Sequence, residues 1–123
     1  MRLASYLHTH DKVSAVYYPG LADHPQHYLA REHFDGYGGI LSLDLADDID
    51  PIQFLNALNL VICATHLGDT RTLALPVAST IYFECSAQQR HDMGVNDNMI
   101  RMSIGIEDIN DIVADFEQAF AKF

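Results

Sequence analysis

The sequence predicts an α+β fold: an antiparallel-dominated sheet of about four strands with helices packed on one of its faces. Two runs alternate with a period of two. One is "ILSLDL" (40–45). In the other, Ile100, Met102 and Ile104 fall on one side and Arg101 and Ser103 on the other. The C-terminal stretch repeats differently, with Ile109, Ile112, Val113, Phe116, Phe120 and Phe123 on a single helical face at spacings of three and four. The segments between strands are too uneven to be uniform helical crossovers, so a small parallel α/β layer ranks second.

Taken in order, "MRLASYLHTH" is a helix end, with Leu3 and Leu7 four apart and no cap at its start. "VSAVYY" (13–18) is a strand closed by Pro19-Gly20, and Tyr17-Tyr18 should divide between surface and core. In "DHPQHYLAREHF" either Asp23 or His24 caps a helix whose first turn holds Pro25, where the missing N–H does no harm. "GYGG" (36–39) breaks the chain before the strand at 40–45. Asp50-Pro51 opens a helix through "IQFLNAL", and the apolar "LVICAT" (60–65) reads as a strand. "HLGDTRTLALPVAST" has turn residues and no period, which indicates a structured loop. Ser86 caps the short helix "AQQRHDM", which Gly94 stops.

Length and charge narrow the function. Residues 1–123 form a single domain, long enough to bury roughly two-thirds of its unfolded surface without staples. Seventeen acidic against seven basic side chains give a charge of −10, which repels phosphate backbones and anionic lipid, so nucleic acid and membrane are excluded as partners. No signal-like segment stands near Met1, and no apolar run approaches the ~20 residues of a membrane span. Cys63 and Cys85 lie in apolar surroundings without metal-ligand spacing, so both read as reduced core thiols of a cytoplasmic protein.

Side-chain clusters are mostly explained by structure. His24 and His27 are three apart but lack a third ligand, so no metal site is expected. A nucleophile pairing Cys63 or Cys85 with His66 or His91 has little support, since a thiol inside an apolar strand is inert. "GYGG" lacks the Gly-Lys-Ser/Thr that marks a phosphate loop. Arg101 is different: a strand holds it rigidly, and its planar fork matches a carboxylate through two parallel hydrogen bonds.

Four pieces of the chain, in order, form a family pattern: "YPGL–x–x–HP", "GYGG–x–x–S", "LG–x–x–x–TL–x–x–P" and "IR–x–S–x–G–x–E". Over nearly its whole length the chain resembles the C-terminal domain of the Cys/Met-metabolism pyridoxal-phosphate enzymes. These include cystathionine γ-synthase and its β- and γ-lyase relatives, methionine γ-lyase and the homoserine-ester sulfhydrylases. The resemblance implies a small domain of fold-type I enzymes, packed beside a large domain that binds pyridoxal phosphate. It also implies trans-sulfuration chemistry, meaning β/γ-elimination or γ-replacement, and an oligomer.

Carried onto this sequence, the resemblance makes Arg101 the group that holds an amino-acid substrate's α-carboxylate. The substrate-facing loop becomes Thr65, His66, Leu67 and Gly68. His66 replaces the family's serine, and Arg71 replaces an acidic residue. Thr65 stands where cystathionine-handling members carry glutamate, which favours methionine-like or homoserine-ester substrates. The chemistry needs a lysine, and neither Lys12 nor Lys122 lies in a matching motif. The chain is therefore expected to be a carboxyl-terminal piece that has no catalytic or cofactor-binding residue of its own and is inactive alone. The other readings are a freestanding oligomerising module and a small-carboxylate binder.

Overall fold

A computed structural model describes residues 1–123. The first helix, α1 (Arg2–His8), has no side-chain cap and buries Leu3, Ala4 and Leu7. After β1 (Val13–Tyr17) the tyrosines divide as expected: Tyr17 is exposed, and Tyr18 is buried with its hydroxyl donating to the Gly38 carbonyl at 2.9 Å. The next helix, α2 (His27–His33), starts later than the sequence suggests, with Gln26 at its N-cap and no capping side chain. His24 Nδ1 accepts the Gln26 N–H at 3.2 Å, so that donor is satisfied in a turn that holds Pro25 ahead of the helix.

In β2 (Ile40–Leu45) the alternation holds, with Leu41, Leu43 and Leu45 all buried. Asp50 caps α3 (Pro51–Ala57) by accepting the Gln53 N–H at 2.8 Å, with Pro51 in the first turn. The apolar run at 60–65 yields only β3 (Ile62–Cys63), whose two residues are both exposed. Conversely, β4 (Leu73–Pro76) lies in the stretch expected to be loop, and all four of its residues are buried. A strand covered on both faces has no polar side to alternate with, so period-two analysis misses it. Ser86 and Gln89 form a reciprocal capping box on α4 (Ala87–Asp92). The last elements are β5 (Met99–Ser103) and α5 (Ile109–Phe120), with Asp108 capping the latter through the Asn110 N–H at 2.7 Å.

The sheet has five strands rather than about four, ordered β1-β2-β5-β4-β3. All pairs are antiparallel except β3 with β4. Helices α1, α3 and α5 cover one face, where Leu7, Phe54, Phe116 and Phe120 meet Leu43, Leu45, Ile100 and Met102. On the other face Leu75 and Met99 pack with Val77, Ala78 and Val95 in a smaller cluster. The expectation of core thiols fails: Cys63 is exposed because a two-residue edge strand leaves its side chains uncovered, and Cys85, in the turn before α4, is half-buried. No helix is long and apolar enough to cross a membrane.

One buried carboxylate joins the helix layer to the chain entering β3. Asp115, 6% exposed, accepts the N–H groups of Asn59, Leu60 and Val61 at 2.8, 2.9 and 3.1 Å. Three donors to one charged acceptor make this the strongest polar tie between α5 and a loop. Asp115→Ala leaves all three donors unsatisfied, and equilibrium urea unfolding should show a loss of about 3 kcal/mol.

Candidate functional site

Strand β5 is the central strand, paired on both edges, and its outward residues define the site. Arg101 sits between Ser42 on β2 and Leu75 on β4, on the face away from the helices. Neighbours fixed on both sides give its side chain a rigid base. The Nη2 group donates to the Thr65 carbonyl at 2.9 Å, while the buried Nε has no hydrogen-bond partner. Two residues on, Ser103 points the same way and its Oγ accepts the Gly68 N–H at 2.9 Å. Gly68 has φ +74°, a left-handed conformation that favours glycine where the loop turns back.

The chain beyond β5 grips the far end of the same loop. Gly105 N–H donates to Thr72 Oγ1 at 3.0 Å, and a Cβ on Gly105 would lie 2.3 Å from the Thr70 carbonyl oxygen. Only glycine permits that approach. Glu107 accepts the Thr72 N–H at 2.6 Å and the Thr72 hydroxyl at 2.8 Å. Within the loop, Asp69 accepts from Arg71 Nη2 at 3.0 Å and from its backbone N–H at 2.9 Å. The Arg71 side chain and backbone hydrogen bonds hold the Asp69 carboxyl well below the usual carboxylate range.

The structure therefore brings Arg101 against Thr65 and leaves the side chains of His66 and Leu67 exposed just beyond the contact. Arg71, a departure from the family pattern, is occupied by Asp69. Sequence reasoning singled out Arg101 and residues 65–68 but gave no role to Ser103, Gly105, Thr72 or Glu107. For Ser103 the signal was its period-two spacing from Arg101; Gly105, Glu107 and Thr72 lie outside the strands and carried no such signal. No group of three His, Cys, Asp or Glu side chains converges as metal ligands would.

Both lysines are committed to the helix layer. Lys12 Nζ donates to the Phe120 carbonyl at 2.8 Å, and Lys122 Nζ donates to the Ala57 carbonyl at 3.3 Å. They satisfy carbonyls at the C-terminal ends of α5 and α3, which is a capping role. Both amines serve helix-end carbonyls, which does not fit the part of the amine that bonds pyridoxal phosphate.

The family described as Cys/Met metabolism PLP-dependent enzyme matches residues 1–121. Cystathionine gamma-synthase 1, chloroplastic, of Arabidopsis thaliana is 38% identical over 119 residues, covering 96% of this chain and 21% of that protein. L-methionine gamma-lyase of Fusobacterium nucleatum subsp. polymorphum is 35% identical over 122 residues, covering 98% of this chain and 31% of the relative. Among solved structures, cystathionine gamma-lyase from Lactobacillus plantarum, complexed with L-serine, superimposes with a TM-score of 0.92 at 31% identity. That alignment covers 98% of this chain and 32% of the other. The chain thus spans at most about a third of the length of these relatives. With a match along nearly its whole length and a shared backbone, it belongs to the Cys/Met metabolism PLP-dependent enzyme family.

Proposed function

We propose that this chain is the small domain that holds the α-carboxylate of an amino-acid substrate. In this reading it works beside a pyridoxal-phosphate-binding domain, in trans-sulfuration-type elimination or replacement. The observation that carries the reading is the state of Arg101. Its guanidinium is braced on the central strand, with one nitrogen tied to Thr65 and a buried Nε lacking an acceptor. A buried donor without a partner is unfavourable, and a carboxylate would satisfy it while pairing with the charge.

Each residue then has a physical task. Arg101 orients the substrate through its carboxylate, and the Thr65 carbonyl keeps the guanidinium plane from rotating. His66 and Leu67, exposed beside it, line the approach. Thr65, where some relatives carry glutamate, presents no charge to a distal ammonium, which favours methionine-like or homoserine-ester substrates. No reaction step is assigned to the residues of this chain, and alone it is inactive in this reading. The exposed, free Cys63 thiol suits a reducing compartment such as the cytoplasm.

A homo-oligomeric interaction module is a second reading, favoured by apolar side chains on and beside α2. Tyr28, Leu29 and Phe34 are 61%, 54% and 65% exposed, apolar surface of the kind a partner covers.

Titration of the chain with L-methionine or a homoserine ester, followed by NMR, tests the carboxylate reading. Wild type should bind, and Arg101→Ala should abolish binding. Arg101→Lys keeps the charge but loses the fork, and should weaken binding about 10- to 100-fold. Equal binding by all three proteins would remove Arg101 as the anchor.

A further inference from the structure

We infer that Glu107 is a positioning residue for the site: by gripping Thr72 it sets where the 65–72 loop lies against β5, and so where Arg101 points. The inference rests on the proposed reading only for what Arg101 binds; the latch itself is a property of the fold.

The loop is held to the β5 end of the chain by the backbone bond from the Ile106 N–H to the Thr70 carbonyl and by side-chain contacts from Arg101, Ser103 and Glu107, which differ in strength. Arg101 donates to Thr65 O in an exposed setting, where solvent competes and the bond is worth little. Gly68 donates to Ser103 Oγ through a neutral pair, the weaker kind of hydrogen bond. At the third contact an ionised carboxylate accepts two donors from Thr72, a residue with 0% exposure. Charge-assisted bonds to a buried partner are roughly twice as strong as neutral ones. The same Thr72 hydroxyl accepts the Gly105 N–H, so Glu107, Thr72 and Gly105 close a ring in which no member can shift alone. The close approach of Gly105 to Thr70 and Arg71 leaves the loop no second seat.

Thr72 also leads directly into β4, whose Leu75 is the cross-strand neighbour of Arg101. Releasing Thr72 therefore loosens the loop that carries Thr65 and the strand edge beside the guanidinium together. Glu107 touches neither Arg101 nor the exposed side chains at 65–67, so its effect on them is indirect.

The charged groups around Glu107 are Asp69 and Arg71 on the loop and Arg2 on α1, which lines the same cleft. Burial pushes the Glu107 carboxyl up, as does the Asp69 charge. The hydrogen bonds from Thr72 and from its own backbone N–H together outweigh both, and the net shift is below the ordinary 4.5. A carboxylate lowered in the folded state stabilises the latch above that ordinary value, and the stabilisation fades as pH falls through the folded pKa.

Amide hydrogen exchange on the full chain, corrected for intrinsic rates, tests this. In Glu107→Gln one acceptor oxygen becomes an NH2 facing the Thr72 hydroxyl. Exchange at Gly68 should rise at least about tenfold while Leu43 and Met102, in the sheet, stay unchanged. Thr72→Val should match that rise, and Thr72→Ser, which keeps the hydroxyl, should restore wild-type exchange. Wild-type protection at Gly68 should fall below about pH 4.5, and Glu107→Gln should show no such step. Equal exchange at Gly68 in wild type and Glu107→Gln overturns the inference, whatever the ligand titration gives. A loosened Gly68 in a protein that never binds L-methionine supports the latch and overturns the carboxylate reading alone.

Discussion

The arrangement depends on the end of one strand and the few residues after it, which together grip a single neighbouring loop. Arg101 and Ser103 share the face of β5 away from the helices, and the chain just beyond the strand brings Gly105 and Glu107 to the same loop. Opposite them the loop offers, in order, the Thr65 carbonyl, the Gly68 N–H, the close pass of Thr70 and the Thr72 donors. A one-residue slip of β5 would turn Arg101 and Ser103 inward and take Ile100 and Met102 out of the helix-side core, so that core and the loop-side grip enforce the same register. Strand pairing on both edges makes that register expensive to leave.

The two faces of the sheet divide the work. On the helix side, Phe54, Phe116 and Phe120 stack over Leu43, Leu45, Ile100 and Met102, and burial there supplies most of the stability. Polar ties on that side are structural: Asp115 holds the 59–61 turn, and the two lysines cap helix ends. The opposite face mixes a small apolar cluster with polar groups. Buried Asp44 accepts from the Tyr17 hydroxyl at 2.7 Å and from Asn96 at 2.6 Å. Burial, with Asp44 close by, pushes the Tyr17 phenol up to about 12, so it stays a donor across the ordinary pH range. Arg101 stands on this face, where part of the surface remains open.

What the sequence disclosed and what it hid follow from period and capping. β2 and β5 were legible because polar and apolar residues alternate along them, α5 because its apolar residues share one face, and α3 and α4 because Asp50 and Ser86 announce their starts. β4 was hidden because Leu73, Ala74, Leu75 and Pro76 are all covered, leaving no alternation to read. β3 was overread, since an apolar run says nothing about how few of its residues find a partner, and Cys63 was placed in the core by the same error. The start of α2 shifted because His24 satisfies a local donor that the sequence assigned to the helix. For the site, Arg101 stood out as a lone charge in an apolar strand. Glu107 did not, because an acidic residue before a helix already has an ordinary explanation at the helix N-terminus.

The loop's attachment separates what can vary from what cannot. The hydrogen bonds that fix its backbone use main-chain atoms of Thr65, Gly68, Thr70 and Thr72 and the side chains of Asp69 and Thr72, and none uses the side chains of residues 65–67. Those three side chains are exposed, and exchanging them costs the fold little. His66 in place of the family's serine is therefore compatible with an unaltered loop path, and it does not by itself signal a lost site. The relatives carry names for a synthase and for lyases, yet their match runs through nearly the whole of this chain. An arginine reading the carboxylate that all amino acids share would be common to such reactions, and selectivity would fall to neighbours the clamp leaves free. A rigid anchor on the central strand beside three replaceable side chains is the geometry that such a division requires.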